Sequence, residues 1–409
     1  MGVVMLKDSL WEKAFLFKKA KMWKYLEESD IFAVQLSSGE YGYCSVTGRI
    51  GQHFALIVYL GDKGLRSCYS VMASGDMCDS DALFAGVEQY CLQCTLESRN
   101  YTDEMQLPEL RAYAKKNQIR LGGEAGYPNL VRFYPCRMPW PVNDEEALLL
   151  EEALDAALWV NEKLGCRKDK QAAMRQMGFD GEYIELKNAV PLFVKEDDEY
   201  KNSLLELKKC SPMIFYSPQM PSQEKLKALK NTRGLKKNSL DVTLRPMNST
   251  IEETIGDDEA PFIPPVIFAS NHKNGQLLKP LFVEGAEEKY YDAALDAFAD
   301  QLMENKPAEI FTASERTYQF LEDFCKSAGI RLYKEYELYH HEQVIEEFMY
   351  NFNHPMDMFQ KSGLIGQLMQ LSDGELANLP PQLLGLLMEP DILRVLPPEL
   401  MKKLLKMMS

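Results

Sequence analysis

The densest set of metal-competent side chains lies near residue 340. His340, His341 and Glu342 are followed by Glu346 and Glu347. Glu342 and Glu346, four residues apart, share one face of a predicted helix. Imidazole and carboxylate groups so placed could hold a cation and activate water, and Glu315 stands near a second predicted element. The spacing is not that of an HExxH zinc motif, and acids at a helix start are also explained by its positive dipole end. We expect a solvated helix start there.

Cys91-Leu92-Gln93-Cys94 is a single CxxC. A structural zinc needs four ligands, and a redox pair sits at a helix start that follows a strand. The apolar spacing here predicts both thiols in mid-helix, on a buried face. Gly48-Arg49-Ile50-Gly51 and Gly61-Asp62-Lys63-Gly64 could cradle a phosphate only between a strand and a helix. Strands are predicted on both flanks of each, so both read as turns. The sequence holds no GxSxG elbow. We assign no catalytic, cofactor-binding or metal-ligating residue, and no cofactor.

Residues 200–249 carry ten basic residues against three acidic ones. Lys225, Lys227, Lys230, Arg233, Lys236 and Lys237 could contact phosphates. Aromatic side chains that would stack on bases are nearly missing from 217–249. The whole chain of 409 residues has a net charge of -15, which repels nucleic acid and anionic membranes. A basic linker folded against acidic neighbours is the expected reading.

With 46% hydrophobic and 26% charged residues, the composition is that of a soluble globular chain of two or three domains. Nine scattered cysteines fit reduced thiols better than a disulfide framework. No apolar run reaches the roughly 20 residues that span a bilayer. Lys7, Asp8, Glu12 and Lys13 stand where a signal peptide has an uncharged core. The expectation is a cytoplasmic protein that contacts no membrane.

The elements that must position these residues follow from capping and periodicity. Ser9 and Glu12 predict a capping box for an amphipathic helix over 1–28, with Trp11, Ala14, Phe15, Met22 and Leu26 on its apolar face. Residues 29–216 read as an α+β domain. It opens with an antiparallel β-meander over 31–36, 41–46, 54–60 and 65–71. Helices follow at 81–96 and from Pro108, with a strand at 130–134. A long helix capped by Asn143 closes at Gly165, and strands return at 190–194 and 213–216. Residues 217–260 read as a partly helical linker, basic and then acidic. Residues 261–352 form a second α/β domain.

Residues 353–409 read as a Met-rich helical tail. In it Leu379-Pro380-Pro381-Gln382-Leu383 and Leu396-Pro397-Pro398-Glu399-Leu400 repeat one pattern. Met-rich amphipathic helices suit adaptable binding surfaces.

Residues 264–348 run as hairpin, helix, strand, helix, strand, helix. With Pro307-Ala308-Glu309-Ile310-Phe311-Thr312-Ala313, this order resembles the integrase-like branch of the RNase H fold, whose members hold catalytic metal ions with clustered carboxylates. The resemblance implies a mixed sheet with acids where this chain has Ser270 or Asn271 and Ala313 or Ser314. It therefore implies a nuclease-like frame without its acids.

A second resemblance rests on Ile31-Phe32-Ala33-Val34, Gly48-x-x-Gly51, Gly61-x-x-Gly64 and Met138-Pro139-Trp140-Pro141. These are similar to the opening of a bacterial family known only as a domain of unknown function. Pro265–Leu338 resembles its second uncharacterised domain. This likeness implies architecture and no activity.

The expectation is a non-enzymatic α/β protein that binds a protein partner through 353–409. The alternative is a degenerate nuclease-like domain that contacts nucleic acid through 217–245.

Overall fold

The computed structural model describes residues 6–165, 169–179, 189–197, 199–208, 211, 218–232, 238–250, 260–353 and 401–402. Nearly all of the Met-rich 353–409 segment, and the 213–216 strand, lie outside the described residues.

The first sheet collects β1 (Phe32–Gln35), β2 (Tyr41–Thr47), β3 (Phe54–Leu60), β4 (Cys91–Glu97), β5 (Tyr127–Phe133), β6 (Trp140–Pro141), β7 (Ala189–Glu196) and β8 (Glu199–Glu206). Its order is β6-β5-β4-β3-β2-β1-β7-β8. Only β1 and β7 run parallel; the other neighbours are antiparallel.

Helices α1 (Asp8–Ala20), α4 (Leu107–Lys116), α5 (Asp144–Gly165) and α6 (Lys170–Gln176) share one apolar core with this sheet. The opposite face packs on Leu65 and Cys68 of α2 (Gly61–Ala73). The period-2 alternation of β1 explains the layering. Phe32 and Val34 enter the first core, and Ile31 and Ala33 the second.

Several expectations change. Residues 61–73 are a helix, not a strand. Leu65 and Cys68 recur at i, i+3, and Gly64 is needed for close approach: a Cβ there would lie 2.5 Å from the Tyr59 carbonyl carbon. The expected 81–96 helix is two elements, α3 (Asp79–Val87) and β4. The Ser9 capping box is not formed, because α1 begins at Asp8 with no side-chain cap. Asn143 and Glu146 form one instead. Asn143 Oδ1 accepts the Glu146 N–H at 2.9 Å, and Glu146 Oε2 accepts the Asn143 N–H at 2.8 Å.

The second sheet contains β9 (Ser239–Pro246), β10 (Pro265–Asn271), β11 (Leu281–Phe282), β12 (Glu309–Thr312) and β13 (Arg331–Lys334), in the order β11-β10-β9-β12-β13. β12 lies parallel to β9 and β13, whereas β10 is antiparallel to β9 and β11. Helices α7 (Gln223–Asn231), α8 (Glu288–Glu304) and α9 (Glu315–Ala328) share its core.

The stretch expected as a linker thus supplies α7 and the central strand. Leu240, Val242 and Leu244 point into the core, alternating with Asp241, Thr243 and Arg245. The described residues of Met1–Lys273 and Leu277–Glu337 make one compact unit, which holds both sheets. α10 (Tyr339–Asn353) belongs to a separate unit and buries His341, Ile345 and Met349.

Candidate functional site

α3 presents Asp81, Phe84 and Glu88 at i, i+3 and i+7, so the three side chains share one face. This face packs against β9 of the second sheet, and Phe84 joins the second core. β12 pairs only with Ser239, Leu240 and Asp241 of β9. Beyond that point the Leu244 N–H is taken by Thr317 Oγ1 of α9, at 2.9 Å.

The start of α9 is capped from both sides. Ser314 Oγ accepts the Thr317 N–H at 2.9 Å and donates to Asp81 Oδ1 at 2.7 Å. Asp81 Oδ2 accepts the Glu315 N–H at 2.8 Å. An acid of the first domain thereby satisfies a free amide of a helix in the second and faces its positive end.

One residue on, Arg316 forms a fork on Glu88, with 2.8 and 2.6 Å bonds, while its guanidinium lies 4.0 Å from the Phe84 ring centre. Both charged side chains are almost wholly buried, at 2% and 3% exposure. Backbone bonds extend the seam: Met138 N–H donates to Pro261 O, and Ile263 N–H to Cys136 O.

The strand positions singled out by the nuclease resemblance fall into this setting. Ser270 is the penultimate residue of β10 and Ser314 follows β12; both are fully buried. Asn271 is half-buried, and Ala313 directly precedes Ser314. The sheet has one more leading strand than expected, and β9 carries an acid, Asp241. Its carboxylate meets His272 Nδ1 at 2.6 Å. His272 stacks on Phe311, and Phe311 on Tyr333, with centroids 4.7 and 5.4 Å apart. Among the described residues no three His, Cys, Asp or Glu side chains gather to hold a metal ion.

The other candidates separate. Glu315 is bonded to Lys334 and Gln319, and the Lys334 bond holds its carboxyl below the usual range. His340 lies at the start of α10, exposed, and His341 is buried. Glu342, Glu346 and Glu347 follow on the same helix.

Cys91 and Cys94 are strand residues on opposite faces of β4, and burial pushes each thiol up to about 12. The thiols are buried as expected, but in a strand. Gly48 and Gly51 do form a hairpin turn, with φ of 118° and 85°. Gly61, however, stands at a strand-to-helix junction. The Glu40 carboxylate lies against Gly61, and Asp62 is in the first turn, so acids face the positive end of α2. Lys225 is held by Asp296 and Asp300 at 2.7 and 2.8 Å. Arg233, Lys236 and Lys237 lie outside the described residues.

A cleft of about 640 Å³ opens in the first domain where β1 and β7 end. The sheet continues from β1 to β2 on one side and from β7 to β8 on the other. Lys13 bridges Glu151 and Asp155, at 3.4 and 3.2 Å, and Lys195 reaches Asp155 at 2.9 Å. Burial raises the Asp155 carboxyl, but the bonds from Lys195 and Lys13 outweigh it and hold the group below its usual range.

Residues 8–178 match the family described as a domain of unknown function (DUF7309), and residues 225–349 match a second such domain (DUF6930). The second match begins at α7, inside the stretch expected as a linker. No curated protein and no solved structure matches the chain. Among the described residues no helix is long and apolar enough to cross a membrane.

Proposed function

We propose that the protein is a non-catalytic binding protein whose two α/β domains form one frame for a protein partner. The observation that carries this reading is the use made of Ser314. In an RNase H-like frame, the turn after β12 would bring an acid toward the acid of the leading strand. Ser314 stands there, buried, with its hydroxyl committed to Asp81 of the other domain. The element order of that frame supports the likeness, with β9 added at its front. Fold does not imply activity, and here the position serves to join domains.

The partner contact is assigned to 353–409. Its Met-rich, twice-repeated Leu-Pro-Pro pattern supports an adaptable apolar surface. The test is capture of partners from a lysate by the full chain and by a chain ending at residue 352. The reading expects the shortened chain to stay folded and lose capture. Unchanged capture, or collapse of the shortened chain, would overturn it.

The nucleic-acid alternative is weakened by the engagement of Lys225 with Asp296 and Asp300. A low-salt gel shift that fades with added salt would favour that alternative instead.

A further inference from the structure

We infer that the cleft at the ends of β1 and β7 is a binding site for a small zwitterion with an aliphatic side chain, such as a free branched α-amino acid. This site is independent of the partner contact assigned to 353–409.

β1 and β7 run side by side, and each then turns away through a hairpin, β1 into β2 and β7 into β8, so that neither strand continues beyond its carboxyl end. Among the described residues β1 and β7 are the one parallel pair in the first sheet, and they diverge in this way. The cleft, at about 640 Å³, falls in the size range of small-molecule sites.

Leu148, Glu151, Glu152 and Asp155 recur at i, i+3, i+4 and i+7, so one face of α5 lines the cleft with three carboxylates. Lys7 and Lys13 at α1 and Lys195 on β7 also line it. Lys13 and Lys195 are already engaged by Glu151 and Asp155. Among the described residues Glu152 accepts only the Ser37 N–H, at 2.9 Å. Among the described residues Glu152 and Lys7 enter no ion pair. One anion and one cation therefore remain for a ligand that carries both charges.

Val34, Leu36, Val194 and Leu148 border the same space. Leu148 is 43% exposed, although it sits on a helix that buries most of its other leucines. An aliphatic side chain placed there would cover Leu148 while the ammonium meets Glu152 and the carboxylate meets Lys7.

The test is calorimetric titration of the full chain with L-leucine, 4-methylpentanoate, leucinamide and leucyl-leucine. The inference expects saturable binding of leucine. It expects affinity to fall by about tenfold or more when the amine or carboxylate charge is missing, and likewise in Glu152→Gln and Lys7→Ala. Gln keeps an oxygen for the Ser37 N–H, so Glu152→Gln should unfold like the parent chain. Three results would overturn the inference: no saturable leucine binding at millimolar concentration, binding that both variants retain in full, or binding of leucyl-leucine alone.

Discussion

Arg316 and Glu88, 228 positions apart in the chain, meet as a buried fork with bonds of 2.8 and 2.6 Å. The pair lies at the seam between the domains, and its energetics differ from those of a surface salt bridge. Breaking a buried pair from one side strands a charge, which costs about 3–5 kcal/mol. Arg316→Met should therefore lose that much stability in chemical denaturation. Glu88→Leu in the same chain should recover most of it, since an apolar pair of similar volume is tolerated. A loss under about 1 kcal/mol for Arg316→Met would mean that the fork is open to solvent.

Asp81 and Ser314 should behave as one cap. Asp81→Ala and Ser314→Ala are each expected to cost about 0.5–2 kcal/mol, the usual loss for a removed N-cap. The double variant should cost clearly less than the sum, because each single change already removes the shared bond. Additive losses in denaturant melts would show that the two act separately.

The junction is also where sequence reasoning reaches its limit. β2, β3, α5, α8, α9 and α10 are legible because each carries a full apolar period with a cap or turn residue at its end. β9 alternates Leu240, Val242 and Leu244 with Asp241, Thr243 and Arg245, a clear strand period. Its basic surroundings and closing Pro246 nevertheless read as a linker. Residues 61–73 mislead through Gly61 and Gly64, which resemble hairpin signals although Gly64 serves close packing. Asp81, Glu88, Ser314 and Arg316 form no local motif at all. Their partners lie more than two hundred positions away, and only the i, i+3, i+7 face of α3 hints at a contact.

Acid should weaken the first domain through Asp155. Its folded carboxyl lies below its usual range because the bonds from Lys195 and Lys13 outweigh the effect of burial. The stabilisation is thus complete above the unfolded value of about 4 and is lost as pH falls through the folded value. Asp155→Asn should flatten the loss of stability measured by urea melts below about pH 4. Equal acid sensitivity in both proteins would rule out this origin.

The CxxC thiols should be inert in the native chain. Burial pushes Cys91 and Cys94 up to about 12, so almost no thiolate exists at neutral pH. Alkylation followed by peptide mapping should find both unmodified until denaturant is added. Rapid native labelling of either would contradict their placement within β4.

If the two domains act as one frame they unfold together, and equilibrium unfolding can follow each domain separately. All four tryptophans, Trp11, Trp23, Trp140 and Trp159, lie in the first domain, so their fluorescence reports it alone. Hydrogen exchange in α8 and α9 reports the second. Both signals should change at one denaturant concentration in the parent chain and separate in Asp81→Ala combined with Arg316→Met. Two distinct transitions in the parent chain would contradict the single frame.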